Sequence, residues 1–404
     1  MRCLSFLAAL LVGSAVGPGC ADSSGASPHV TVDTLPGGIP RVVSRQPTDS
    51  GRWSLTPSRV IQPDEGAAEL QRPQDLALAH DGSVLVAEAS ALHVKVFNPG
   101  GELVRSIGGE GNGPGEFRSA FVTVRGDTLV VQDPRSARAT TFNWRTGQLL
   151  ATRFTVCCAF GRIAMDSAGR VYAPSIAQAH DTSWTNVQAF ARFGVASDAV
   201  DTLFAREQQV QVPPQWLVRE GDFVRMSTVP PYQPRAHFAV DPTGALVTGW
   251  SGVYSLRVSS NGTDTVALFG RTHEPAPVTR ADKNRLVEER IASMRAGNPN
   301  AWSEAILRAA FDPGLIPDMR PAYEAFSVDG AGRRWVRLAD VDSAVVTMDL
   351  FDREGRWLDI VRVDGPLWPR SVWDAVAWSM TQVAVLGESE DGRPLVRIFD
   401  IVRR

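Results

Sequence analysis

The chain has 404 residues, a formal net charge of −3, 44% hydrophobic residues and 21% charged residues. That balance supplies enough apolar surface for a real core and argues against a nucleic-acid partner, which wants a basic face. Gly 35 and Pro 27 suit a chain with many turns, while Cys 4 is too few for a disulfide-stapled miniature fold.

Met1-Arg2 gives a short positive start, Leu4 to Val12 is an apolar run broken only by Ser5, and Gly17-Pro18-Gly19-Cys20 follows. This layout reads as a secretory signal over 1–19, too short and wrongly flanked to span a membrane. The cysteine at its end resembles the lipobox of bacterial lipoproteins, with Gly17 where that family carries an aliphatic residue. The resemblance implies acylation of Cys20, a small polar tether over 20–29, and an exported, membrane-anchored protein facing the periplasm or the cell exterior. No other segment approaches membrane-spanning length.

From residue 30 onward one pattern recurs: an alternating apolar strand, a Gly or Asp-Gly turn, and a second apolar strand. It occupies 76–88, 121–133, 163–172, 238–247 and 326–336, with a degenerate copy at 378–385. Each copy meets the period-two and turn criteria for a hairpin. The first three turns lie roughly forty residues apart, the length of a four-stranded propeller blade.

The first unit carries Pro73-Gln-Asp-Leu-Ala-Leu, Asp81-Gly82, Leu85-Val-Ala-Glu88, Val94-Lys-Val-Phe97 and Gly113-Pro-Gly-Glu-Phe117. It resembles the NHL repeat, which implies an all-β, six-bladed β-propeller of four-stranded antiparallel blades over 30–404. The ends of the chain predict closure. Residues 54–61 read as an outer strand without inner partners, and 376–402 reads as a unit lacking its fourth strand. Joining the two completes a blade and removes open sheet edges. A monomer is expected.

Blade topology turns position into a face. The inter-blade loops and the loops between second and third strands share one side; the remaining tight turns, such as Asp81-Gly82, share the other. The long segments 175–186, 205–235 and 272–322 all fall on the first side, where elaborated loops on a rigid scaffold carry function. Within 279–312 the pattern predicts helices: Thr279 to Asp282 is capping-box-like, and Val287, Ile291 and Met294 share one face. This insertion reads either as a lid or as a packed elaboration of the neighbouring blades.

The loop-rich side supplies His180, Trp184, Trp216, Tyr232, Arg235, His237, Arg320 and Tyr323 as candidate ligand-binding residues. Aromatic and arginine groups around a concave opening suit a small molecule, a glycan or a protein partner. Glu88, Asp133 and Glu388 read as equivalent second-strand ends on neighbouring blades. They suit Ca²⁺, or each caps its own loop, the reading that their incomplete ring favours. Cys157-Cys158 could form a vicinal disulfide or stay reduced; Cα atoms about 3.8 Å apart sit below the usual disulfide range.

No His-x-x-His, Gly-x-Ser-x-Gly, Cys-x-x-Cys or P-loop pattern occurs, so no catalytic residue is assigned. The expected function is therefore a tethered binding or scaffold module. The alternative is an enzyme, since propellers resembling this one include lactonases and lyases that use a channel metal.

Overall fold

The computed structural model describes residues 29–63, 66–155, 161–178, 186–195, 199–209, 214–297, 301–339, 345–364 and 375–404. Six four-stranded antiparallel blades stand in a ring. The inner strands of blades 1 to 6 are Pro73–Leu78, Phe121–Arg125, Ala164–Met165, Ala236–Val240, Ala325–Val328 and Val376–Trp378. Their outer strands, in the same order, are Leu103–Ile107, Gln148–Phe154, Val200–Gln209, Ala267–Arg271, Trp357–Asp364 and Trp53–Ile61. No helix among the described residues is long and apolar enough to cross a membrane.

Side chains from facing sheets fill the spaces between blades. Leu85, Ala87 and Val94 of blade 1 meet Val122, Leu129 and Val131 of blade 2 in one cluster, and Val247 and Leu256 of blade 4 meet Val336 and Phe351 of blade 5 in another. The tight-turn side is stitched by a repeated device. In blade 3, Asp166 accepts from the backbone N–H of Ala168 and Arg170, from Arg170 Nε and from the Tyr172 hydroxyl. In blade 5, Asp329 accepts in the same way from Ala331, Arg333 and the Trp335 indole. The arginine then reaches the next blade, Arg170 donating to Thr243 O and Arg333 to Met380 O. Gly244 has φ +90° and lies so close to this lock that a Cβ there would sit 2.4 Å from Asp166 Oδ2. Only glycine fits.

Closure follows the expected route. Trp53–Ile61 pairs antiparallel with Pro394–Arg403 and completes blade 6. The sequence pattern did not reveal where the preceding residues go. Val30–Leu35 and Ile39–Ser44 form a hairpin, and Arg41 to Ser44 run parallel to Leu268 to Arg271, extending blade 4 to six strands. The chain then crosses blade 5, where Thr48 N and Asp49 N donate to Trp357 O and Leu358 O. Gly51 N and Trp53 N donate to the carboxylate of Asp359 at 2.9 and 2.8 Å. Residues 30–61 therefore form a strap binding the outer edges of three blades.

The two long insertions flanking blade 4 pack on each other. One contributes the hairpin Trp216–Glu220 and Phe223–Thr228; the other contributes helices α1 (Arg280–Gly297) and α2 (Glu304–Ala310). Thr279 and Asp282 exchange side-chain and backbone hydrogen bonds, a capping box with Asp in the usual Glu position. Trp216, Val218, Val287, Ile291, Leu307 and Phe311 form their shared core.

Candidate functional site

Six inner strands arranged around an axis cannot all touch across it, so the ring encloses a channel of about 600 Å³. Its walls mix apolar and polar side chains. Leu76, Phe121, Ile163, Phe238, Phe326 and Trp378 contribute one residue from each blade.

The level of each channel residue follows from the tight turns. Those turns begin at Ala79, Arg125, Asp166, Asp241, Asp329 and Ser379. Counting back along each inner strand by the same distance gives Asp75, Phe121, Arg162, His237, Ala325 and Ala375, all near the loop-rich end. Arg162 of blade 3 crosses the channel at this level. Its Nε lies 3.1 Å from Asp75 Oδ1, Nη2 donates to Leu76 O at 3.0 Å, and Nη1 donates to Val376 O. Asp75 also accepts from Val122 N at 2.9 Å. Burial raises the Asp75 pKa above the usual carboxylate range, opposed chiefly by the charge of Arg162. The result is a charged bar joining blades 1, 3 and 6.

The remaining wall belongs to blades 2, 4 and 5; blade 2 presents Phe121, and blades 4 and 5 present Arg235, His237, Ala325 and Arg337. Arg235 is fixed by its backbone, N donating to Ser251 Oγ at 2.8 Å, and burial lowers its pKa. Arg337 Nε lies 3.1 Å from Glu324 Oε2. Burial, and then the nearby charge of Arg235, push the His237 pKa down to about 4. At neutral pH the imidazole is therefore uncharged, with one donor and one acceptor nitrogen. Its ring centroid lies 5.7 Å from that of Tyr323 and 6.3 Å from that of Phe326. Tyr323 is fully buried and its hydroxyl has no hydrogen-bond partner among the described residues. Gly249 lets this ring approach, since a Cβ there would lie 2.3 Å from the hydroxyl.

The structure sorts the residues expected from sequence. Arg235 and His237 do line the channel, and Tyr323 backs His237 from the core. Tyr232 and Arg320 pair with each other, the guanidinium 4.6 Å from the ring centroid. Trp216 is 1% exposed and donates its indole N–H to Asp312 O at 2.8 Å, so it serves the core of the insertions. No channel-lining residue comes from α1 or α2. His180, Trp184, Cys157, Cys158 and Cys20 lie outside the described residues.

Glu88 and Asp133 are buried and bind their own loops. Glu88 accepts from Gln71 N and Arg72 N at 3.2 and 2.9 Å. Asp133 accepts from the backbone of Arg118, Arg135 and Ser136 and from Ser119 Oγ. In blade 6 a shorter tight turn shifts the alternation, so Gly387 occupies the equivalent place and Glu388 beside it is exposed. Among the described residues no group of three or more His, Cys, Asp or Glu is placed to hold a metal ion.

Sequence reasoning missed Arg162, Asp75 and the phenylalanines of the channel. The signal was present. Aligning the inner strands on their turns, rather than the second strands on their ends, brings these residues to the axis.

No family model and no curated protein matches the chain. Solved structures share its general shape at low similarity. A member of the DUF4221 family from Bacteroides vulgatus superposes with a TM-score of 0.47 at 11% identity, over 88% of this chain and 100% of that one. A Bacteroides fragilis protein described as exported gives 0.47 at 9% identity, over 89% and 98%. Regucalcin, a calcium-binding protein from Agrobacterium tumefaciens, gives 0.41 at 9%, over 87% and 97%. Likenesses this distant transfer no function.

Proposed function

We propose that this protein is an exported binding module whose propeller channel takes a small molecule at its loop-rich end. One observation carries the reading. The channel is about 600 Å³, its wall mixes apolar side chains with polar and charged ones, and its loop-rich end brings Arg235, neutral His237 and Arg337 together. That volume falls in the range of about 300–1,000 Å³ typical of small-ligand sites, where convergent polar groups fix a ligand's orientation against apolar surface. The absence of any assigned nucleophile or acid–base pair in the sequence favours binding over catalysis.

The test fills the channel. Ala325 is a small lining residue, so Ala325→Phe narrows the channel at its loop-rich end. Wild-type protein should bind the neutral fluorophore N-phenyl-1-naphthylamine one to one, and Ala325→Phe should weaken that binding at least tenfold while melting cooperatively. Equal binding by both proteins would place the ligand elsewhere. Membrane attachment through Cys20 belongs to the same reading: Cys20→Ser should move the protein from the detergent phase to the aqueous phase, and unchanged partitioning refutes the anchor.

A further inference from the structure

A second cavity, of about 500 Å³, opens on the loop-rich side between blades 1 and 2. Arg72, Pro73, Gln74, Ala89 and Leu92 of blade 1 line it together with Arg118, Ser119 and Arg135 of blade 2. Three of those eight side chains are guanidinium groups. All three arginines are exposed, and among the described residues none of the three side chains has a hydrogen bond or ion pair.

Their placement is built into the repeat. Arg72 and Arg118 occupy equivalent positions, each just ahead of an inner strand. In each case a buried second-strand carboxylate holds the backbone: Arg72 N donates to Glu88 Oε2 at 2.9 Å, and Arg118 N donates to Asp133 Oδ2 at 2.8 Å. Asp133 Oδ1 also accepts from Arg135 N at 3.0 Å. The two carboxylates spend their acceptor capacity on main-chain N–H groups and on the hydroxyls of Ser90 and Ser119. They do not neutralise the guanidinium groups; they fix the stems from which those groups extend.

We propose that this cleft is a binding site for a phosphate- or sulfate-bearing ligand. Three guanidinium groups arriving from three separate backbone positions match an anion with oxygens directed several ways. A single carboxylate occupies only one such fork. Gln74 offers a polar contact at the same wall, and Leu92 and Pro73 give the organic part of the ligand an apolar floor. The site lies outside the channel and does not depend on the channel being occupied.

Pyrophosphate is the probe, titrated calorimetrically into the purified full-length protein at low and at physiological salt. The wild type should bind one equivalent, more weakly as salt rises. Arg118→Gln should weaken binding about tenfold, and Arg72→Gln/Arg118→Gln/Arg135→Gln should abolish it. The exposed Arg52, on the strap, gives a charge-matched control, and Arg52→Gln should bind as the wild type does. Because these side chains make no hydrogen bond or ion pair among the described residues, the triple variant should melt where the wild type melts, and pyrophosphate should raise the melting temperature of the wild type alone. Equal binding by wild type and triple variant, no binding by the wild type, or tighter binding of citrate than of pyrophosphate would each overturn the assignment.

Discussion

Removing Arg162 should destabilise the ring in a way that depends on pH. The guanidinium lies 3.1 Å from Asp75, whose side chain is 1% exposed, while the Arg162 side chain is 35% exposed to the channel. At an effective dielectric of about 20 the gross attraction at that distance is about 5 kcal/mol, and desolvation of Asp75 takes back a large part. A net coupling of about 2 kcal/mol remains, reduced because channel water screens Arg162. Arg162→Met strands a buried carboxylate and also loses the donors to Leu76 O and Val376 O. The expected loss is about 3 kcal/mol at pH 7, near the lower end for breaking a buried pair. Urea unfolding followed by tryptophan fluorescence measures it. Asp75→Asn keeps an acceptor for Val122 N, and with Arg162→Met it completes a double-mutant cycle that isolates the pair. Burial already raises the Asp75 pKa, and loss of Arg162 raises it further. An acid with a raised folded-state pKa favours the folded state only when protonated. The Arg162→Met deficit should therefore grow as pH rises from about 4 through that folded value, and shrink on acidification. A variant within about 0.5 kcal/mol of wild type at pH 7, or a coupling near zero, would refute the cross-channel bar as a structural element.

Deleting residues 29–62 removes the strap and the fourth strand of blade 6, exposing the edge of Pro394–Arg403; the truncated protein should aggregate or melt at least 10 °C lower, read by calorimetry and size exclusion. His237 is held neutral with a pKa of about 4 against an ordinary 6.5, so its contribution is complete above about pH 6.5 and lost as pH falls towards 4. That loss approaches about 3 kcal/mol in the wild type and should be absent from His237→Gln, compared by urea midpoints at pH 7 and pH 4.5.

Much of the fold was legible because each blade is a local object. A period-two strand, a glycine turn and a second strand lie within about a dozen residues, and each inner hairpin predicted that way is present. Closure was legible for a related reason: an unmatched outer strand at one end and an incomplete unit at the other have one economical solution, and Trp53–Ile61 adopts it. The helical insertion was legible through Thr279 and Asp282, whose capping exchange is local as well. Trp216 shows the limit. A tryptophan in a long loop reads as a binding residue, yet the fate of its ring depends on a helix contributed by a different loop.

What the sequence alone determined is therefore the repeat, its count and the side that carries the long loops, since all three follow from strand order. The tertiary structure decided the partners. The hairpin Val30–Leu35 and Ile39–Ser44 shows strand character in its residues, but nothing local selects blade 4 as the sheet it joins. Asp75 and Arg162 become a pair only when six inner strands converge on one axis. Glu88 and Asp133 look alike as free carboxylates or as ligands until the backbone N–H groups of Arg72 and Arg118 are in place to consume them. Patterning fixes which way a side chain faces within its own strand; what it then meets comes from elements distant in the chain, and only packing brings those together.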